Sequence, residues 1–376
     1  MHSHYSFFLF AFLVFTLING YVFYRSRQVL PSSKIVQISF YVVYFFLFSA
    51  FIVAMVGRNI FPLTIQKILY FLGTVWMGMT LYLILFFLLT DFVYVIVRII
   101  HRLSPAINRR FHKIQVVSGY IFVLCLIVYG YYQYRHPQIV EQKISIAKKA
   151  GDYKNLKVVG ASDFHLGVAN DRKRLEQFVQ LINDQHPDLI LIAGDLIDNN
   201  VMPLEKERMW ETVNQLQAPL GTYFCMGNHE YMSGEESAMN FLHKTNMHLL
   251  IDTLVVVNNS IQIIGRDDKQ RNRYRKSLEE LAKNVDPSLP VFLLDHEPFH
   301  LNEAEENGID LQFSGHTHHG QLFPGNLLAD KVYELSYGYL QKGNTHYYVS
   351  SGLGLWGPPL RIGTQSEVVV FNIEFE

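Results

Sequence analysis

Four long runs without a charged side chain fill the first third of this sequence, and they limit its architecture more than any other feature. They cover Tyr5 to Tyr24, Ile35 to Val56, Ile68 to Thr90 and Ile114 to Tyr134. Each holds about 20 residues or more, and at about 1.5 Å per residue such a helix crosses the roughly 30 Å hydrocarbon core of a bilayer. Four transmembrane helices are therefore expected, at about 5–24, 35–56, 68–90 and 114–134. Buried helices of a large soluble core are the alternative, and four such runs in succession argue against it. The leader Met1-His2-Ser3-His4 lacks Lys and Arg and no small-residue cleavage site follows, so a retained anchor is expected in place of a cleaved signal sequence.

Charge divides the chain at the same place. Residues 1–134 carry ten Lys or Arg and a single acid, Asp91, a formal +9, whereas residues 135–376 carry 22 basic and 32 acidic groups, a formal −10. An acidic C-terminal part argues against nucleic-acid binding, which needs a positive field to displace counterions from phosphate. Cys125 and Cys225 are the whole cysteine complement, so no disulfide framework is expected. Arg25, Arg27 and Lys34 follow the first run, and Arg98, Arg102, Arg109, Arg110 and Lys113 follow the third. The opposite side has Arg58 and Lys67 in its short middle loop, with Arg135, Lys143, Lys148 and Lys149 beyond the fourth run. The positive-inside rule then places the odd loops in the cytoplasm, giving a multi-pass cell-membrane protein whose C-terminal domain is extracytoplasmic. Asp91, close to an interface, is expected as a solvated cap, with a functional intramembrane acid as the alternative.

Residues 135–154 read as a polar linker, and a compact domain is expected over 155–376. It alternates apolar strand-like runs (156–161, 189–193, 221–226, 291–294 and 311–314) with helix-compatible segments near 171–184, 203–217 and 235–244. That alternation indicates an α/β domain.

Several of the apolar runs end in metal-ligand residue types, where an open α/β sheet places its site. In order these are Asp163-Phe164-His165, Gly194-Asp195-Leu196-Ile197-Asp198, Gly227-Asn228-His229-Glu230, Asp295-His296 and Gly315-His316-Thr317-His318. Any one alone is commonplace; the set is specific. Carboxylate, imidazole and amide donors suit Mn, Fe or Zn, and one bridging carboxylate can hold two cations roughly 3.5–4 Å apart. The imidazoles of His316 and His318, at i and i+2, diverge on a tight loop but point the same way on an extended strand.

Over residues 154–376 the chain resembles the calcineurin-like metallophosphoesterase superfamily, whose signature is D-x-H, G-D-x-x-D, G-N-H-D/E, a later H, and G-H-x-H. The runs Ser162-Asp163-Phe164-His165-Leu166-Gly167, Gly315 to Gln321, and Ser351 to Gly354 with Pro358-Pro359-Leu360-Arg361 are similar to those of its small membrane-associated bacterial phosphodiesterases. The resemblance implies a four-layer α/β/β/α sandwich with two divalent metal ions at the rim of its sheets. It implies Asp163, His165 and His318 as ligands of one ion, Asn228, His296 and His316 as ligands of the other, and Asp195 as the bridge. A metal-activated hydroxide would attack phosphorus in line, His229 would protonate or stabilise the leaving oxygen, and Asp198 would orient His229. Helix capping is the other reading of Asp198.

Glu230 replaces the commoner Asp after the G-N-H run, a change expected to be harmless, and His319 stands where many relatives have Gly. His319 either contacts a substrate phosphate, alters the loop, or faces outward. Asp267 and Asp268, after Gly265-Arg266, resemble a further run of the same bacterial branch. The basic run Lys269, Arg271, Arg273, Arg275 and Lys276 is either a solvated loop or a grip for anionic headgroups. Trp356 and Tyr347 either pack the core or line a pocket. The leading expectation is a membrane-anchored phosphoesterase acting on a phosphomonoester or phosphodiester, with a lipid-linked or envelope substrate favoured by the helices. A catalytically silent membrane sensor is the alternative, and a transporter finds little support in helices with one acid.

Overall fold

The computed structural model describes residues 2–58, 60–101, 105–269, 272 and 274–376. Met1, Arg102, Arg271 and Arg273 lie outside the described residues. The chain forms two compact units: Met1–Tyr131 with Pro358–Leu360, and Tyr132–Gly357 with Arg361–Glu376.

The first unit contains α1 (His2–Arg27), α2 (Lys34–Val56), α3 (Leu63–His101) and α4, which spans Pro105–Arg135 and ends in the second unit. All four helices are long and apolar enough to cross a membrane. Large side chains such as Ile38, Leu89, Phe92 and Ile121 are exposed, an apolar surface that water would penalise and lipid accepts. Small residues let the helices approach: a Cβ on Gly73 would stand 2.3 Å from the backbone nitrogen of Phe51. Asp91 is not the solvated cap expected from the sequence, because α3 continues past it to His101. It pairs with Arg25 at 2.6 Å and accepts from Gln115 Nε2 at 2.7 Å, so its charge is neutralised among α1, α3 and α4.

Among the described residues the second unit begins its strands with β1 (Gln138–Ile146), β2 (Asn155–Ala161), β3 (Leu189–Ala193), β4 (Thr222–Cys225) and β5 (His248–Leu250). There follow β6 (Thr253–Val257), β7 (Ile261–Gly265), β8 (Val291–Leu294), β9 (Leu311–Ser314), β10 (Gly338–Lys342), β11 (Thr345–Val349) and β12 (Glu367–Phe375). They make two six-stranded mixed sheets, ordered β1-β12-β2-β3-β4-β5 and β10-β11-β9-β8-β7-β6. Between the sheets pack Val158, Leu191, Val369 and Phe371 of the first and Ile263, Phe292, Leu311 and Phe313 of the second. The outer face of the first sheet is covered by α5 (Arg172–Asn183), whose Leu175, Phe178, Val179 and Ile182 recur at helical spacing. Asp171 starts that helix by accepting from the backbone N–H of Arg174 at 3.2 Å. Leu278, Leu281, Leu301 and Ala304 cover the outer face of the second sheet. The order of layers is therefore α/β/β/α.

Two expectations are corrected. Residues 135–154 are not simply a linker: Arg174 donates to the carbonyls of Tyr134 and Arg135 at 2.6 and 3.2 Å, and β1 pairs along its length with β12 in parallel. Its period of two, Ile144 and Ile146 inward with Lys143 and Ser145 outward, reads as polar when only composition is weighed. The segment 203–217 is not one helix, because Arg208 adopts φ 51° and separates Met202–Lys206 from Met209–Val213.

Phe313 is fully buried and its ring lies against Gly160 of the facing sheet, where a Cβ would come within 2.8 Å. Phe313→Ala is expected to destabilise the second unit by about 3–5 kcal/mol. Thermal unfolding followed through Trp210, which packs on the outer core, checks this.

Candidate metal centre

β2, β3 and β4 run parallel, as do β8 and β9, so their carboxyl ends deliver five loops to one rim. Asp163 and His165 follow β2, Asp195 and Asp198 follow β3, Asn228 and His229 follow β4, His296 follows β8, and His316 and His318 follow β9. The loops are held in an unusual backbone state. Asp163, His165, Asp195, His316 and His318 have φ between 45° and 70°, a left-handed region sparsely used by such residues and concentrated at functional sites. Mutual hydrogen bonds secure it: Asp163 N–H donates to Gly194 O at 3.1 Å and His165 N–H to Asp195 O at 3.0 Å. Glycine makes room beside the carboxylates, since a Cβ on Gly227 would lie 2.2 Å from Asp195 Oδ1 and one on Gly315 2.3 Å from Asp163 Oδ2.

The side chains converge in three overlapping sets, each with its ligand atoms within 4.8 Å of one another: Asp163, His165 and His318; His165, Asp195 and His229; Asp195, His296 and His316. His165 Nε2 and His318 Nε2 face each other at 3.0 Å. Asn228 Oδ1 joins the third set, 3.0 Å from His316 Nδ1 and 3.3 Å from His296 Nε2. The loop carrying His316 and His318 thus sends its two imidazoles to different sets. His296 Nδ1 donates to the carbonyl of Ala193 at 2.8 Å, which fixes the ring with Nε2 facing the cluster.

Electrostatics follow from burial and from the mixture of charges. Burial, then the field of His165 and Arg361, pushes the His318 pKa well down, and burial with the nearby His296 charge pushes His316 down to about 3. Both therefore present lone pairs at neutral pH. Although burial opposes its ionisation, Asp195 is held well below the usual carboxylate range, chiefly by His296, whose Nε2 is 3.1 Å away.

A calcineurin-like phosphoesterase family profile matches residues 156–320. An uncharacterised metallophosphoesterase of Helicobacter pylori is 33% identical over 67% of this chain and 69% of its own length. The chain belongs to the calcineurin-like metallophosphoesterases. YkuE of Bacillus subtilis, an uncharacterised metallophosphoesterase, is 31% identical over 65% of this chain and 90% of that one. A zebrafish transmembrane protein with a metallophosphoesterase domain is 32% identical over 68% and 61% of the two chains. The buried His and Asp clusters have the character of a dinuclear metal site in this family of metal-dependent phosphoesterases.

In this metallophosphoesterase several residues have contacts that the sequence reading did not anticipate. Asp198 meets His229 through its backbone: His229 Nδ1 donates to Asp198 O at 2.9 Å, while the Asp198 carboxylate lies 3.5 Å from that nitrogen and 3.4 Å from His165 Nδ1. Glu230 is fully buried and accepts from the N–H groups of Asp195, Ile197 and Gly227 at 3.0, 2.9 and 2.8 Å. It joins the Asp195 loop to the Asn228 loop, and its position three residues after Gly227, a capping-box spacing, was the available signal. Burial and then the Asp195 charge push its pKa up to about 8.

Arg361 is fully buried and donates to the carbonyls of His318, Gly352 and Gly354 at 3.0, 3.1 and 2.7 Å, tying the tail run to a cluster histidine. Arg275 turns inward and grips Asp295 beside His296 with both terminal nitrogens, so this member of the basic run is not available to headgroups. His319 stacks on Tyr337 at 4.8 Å, away from the cavity. That cavity, about 320 Å³, is lined by His229, His316 and His318 together with Tyr333 and Trp356.

Glu230→Ala would leave three buried N–H groups unsatisfied at about 1–3 kcal/mol each. The expected outcome is a lower melting temperature together with reduced metal content by elemental analysis, and unchanged values of both would refute the role given to the carboxylate.

Proposed function

We propose that this chain is a membrane-anchored phosphoesterase that uses two divalent metal ions to hydrolyse a phosphomonoester or phosphodiester, with a lipid-linked or envelope-derived substrate. The observation that carries the reading is the double membership of Asp195, whose carboxylate belongs to the set with His165 and His229 and to the set with His296 and His316. A residue that bridges two cations must have that position. Asp163, His165 and His318 would hold one ion, and Asn228, His296 and His316 the other. The donors fit, because imidazole, carboxylate and amide groups in this proportion suit Mn, Fe or Zn. When bound, the ions supply positive charge to the phosphoryl oxygens and a nucleophile usable near neutral pH.

The chain's own residues do the rest. His229 donates a hydrogen bond from Nδ1 to the Asp198 carbonyl at 2.9 Å, which leaves Nε2 as the atom to protonate or stabilise a leaving oxygen in the cavity. Asp198 is the positioning residue for that ring and, through its carboxylate 3.4 Å from Nδ1, for His165. Tyr333 and Trp356 wall the cavity and narrow the approach of water.

His229→Ala is expected to lower metal-dependent hydrolysis of a chromogenic bis-phosphodiester by about 10²-fold or more while metal content persists. Asp195→Asn is expected to lose both, and full activity in either protein would overturn the assignment. Metal bound at two sites without hydrolysis of any phosphoester in a broad panel would favour the silent binding protein instead.

The loop charges support an extracytoplasmic catalytic domain. Alkaline phosphatase fused after Tyr134 is expected to be active and green fluorescent protein at the same point dark; the reverse pattern would place the site in the cytoplasm.

A further inference from the structure

The cavity has an apolar shoulder that catalysis does not use. The helix Gly325–Val332 packs Ala329 inward and turns Leu327, Leu328 and Val332 outward, and Phe323 and Trp356 flank it on neighbouring loops. These five large apolar side chains are between 47% and 65% exposed. Leu327 and Lys331 lie one turn apart, as do Leu328 and Val332, so the exposed Lys331 sits on the same face. The helix is followed at once by Tyr333, and both Tyr333 and Trp356 line the cavity, so the shoulder borders its mouth.

We propose that this shoulder docks on the surface of the bilayer, with Leu327, Leu328, Val332 and Phe323 in the headgroup and upper acyl region and Trp356 at the interface, presenting the cavity to a phosphoester carried on a lipid. Two observations single out lipid over another protein. The face combines branched aliphatic groups, an aromatic rim and one lysine whose stem can lie on the apolar surface while its ammonium reaches lipid phosphate, the composition of an interfacial helix. The same chain also carries four helices long and apolar enough to cross a membrane, so a bilayer lies within reach of it. The part concerning substrate rests on the phosphoesterase reading of the site; the docking itself does not.

The test uses the full chain in nanodiscs of phosphatidylcholine and phosphatidylglycerol. The sequence has three tryptophans, so Trp76→Phe with Trp210→Phe leaves Trp356 as the sole emitter. Lipid brominated near the headgroup is expected to quench that emission about twofold, and adding Leu327→Ser with Leu328→Ser is expected to restore it. Should the double tryptophan replacement fold poorly, a fluorophore on Leu328→Cys in a Cys125→Ser background serves instead, its emission shifting to the blue and becoming shielded from aqueous iodide. Emission indifferent to bromolipid and fully open to iodide would overturn the proposal, and so would efficient cross-linking of Leu328→Cys between two copies. Loss of all phosphoester hydrolysis with bromolipid quenching intact would sink the catalytic reading and leave the docking surface standing.

Discussion

Asp163 and Asp195 are buried together at the rim of the two sheets, and that confinement of like charge is the constraint around which the second unit is arranged. A carboxylate removed from water must be repaid in fixed dipoles or opposite charge. The backbone supplies part: His229 N–H donates to Asp195 at 2.9 Å and His316 N–H to both oxygens of Asp163 at 3.1 Å. Imidazoles supply more. The left-handed turns at Asp163, Asp195 and His316 are the conformational consequence, because the loops must fold back tightly to aim both N–H groups and side chains at one point. Glu230 and Arg361 then hold those turns from behind, one through N–H groups and the other through carbonyls.

How much of this can be read in the sequence depends on where the information lies. Parallel strands put chemically distinctive residues next to one another at their ends, so Asp163 with His165, or His316 with His318, appear as contiguous motifs on apolar runs. The helices of the first unit are equally plain, because uncharged length is itself the physical requirement. Contacts that depend on a backbone atom leave no such trace. The Asp198 carbonyl that receives His229 at 2.9 Å could have been offered by any residue type, and only the carboxylate 3.5 Å from the same nitrogen is visible in the motif. β1 escaped for another reason: exposed at every second residue, it shares the composition of a linker and differs only in period. The β10–β11 hairpin does leave a signal in Gly343-Asn344, a turn dipeptide between strand-like runs.

The first unit applies the same rule of compensated charge in an apolar setting. Arg25 of α1, Asp91 of α3 and Gln115 of α4 form one hydrogen-bonded group, and Tyr21 also donates to Asp91. Polar residues among lipid-facing helices fix which helices neighbour one another, a specificity that aliphatic packing alone supplies weakly. Asn19 extends the pattern, receiving Trp76 Nε1 at 2.9 Å on its side chain and Tyr44 at 2.7 Å on its carbonyl.

The order β1-β12-β2 has a consequence for biosynthesis. The two earliest strands of the sheet are not neighbours; the last strand lies between them, and Arg361, just before it, anchors the His318 loop. While the chain is still emerging from the ribosome, the strands bearing Asp163 and Asp195 can pair, yet the sheet stays split and the histidine loop untethered. Joining of β1 to the rest of the sheet and tethering of the histidine loop therefore both wait for residues 361–375, which lie more than 160 positions after Asp195 in the chain.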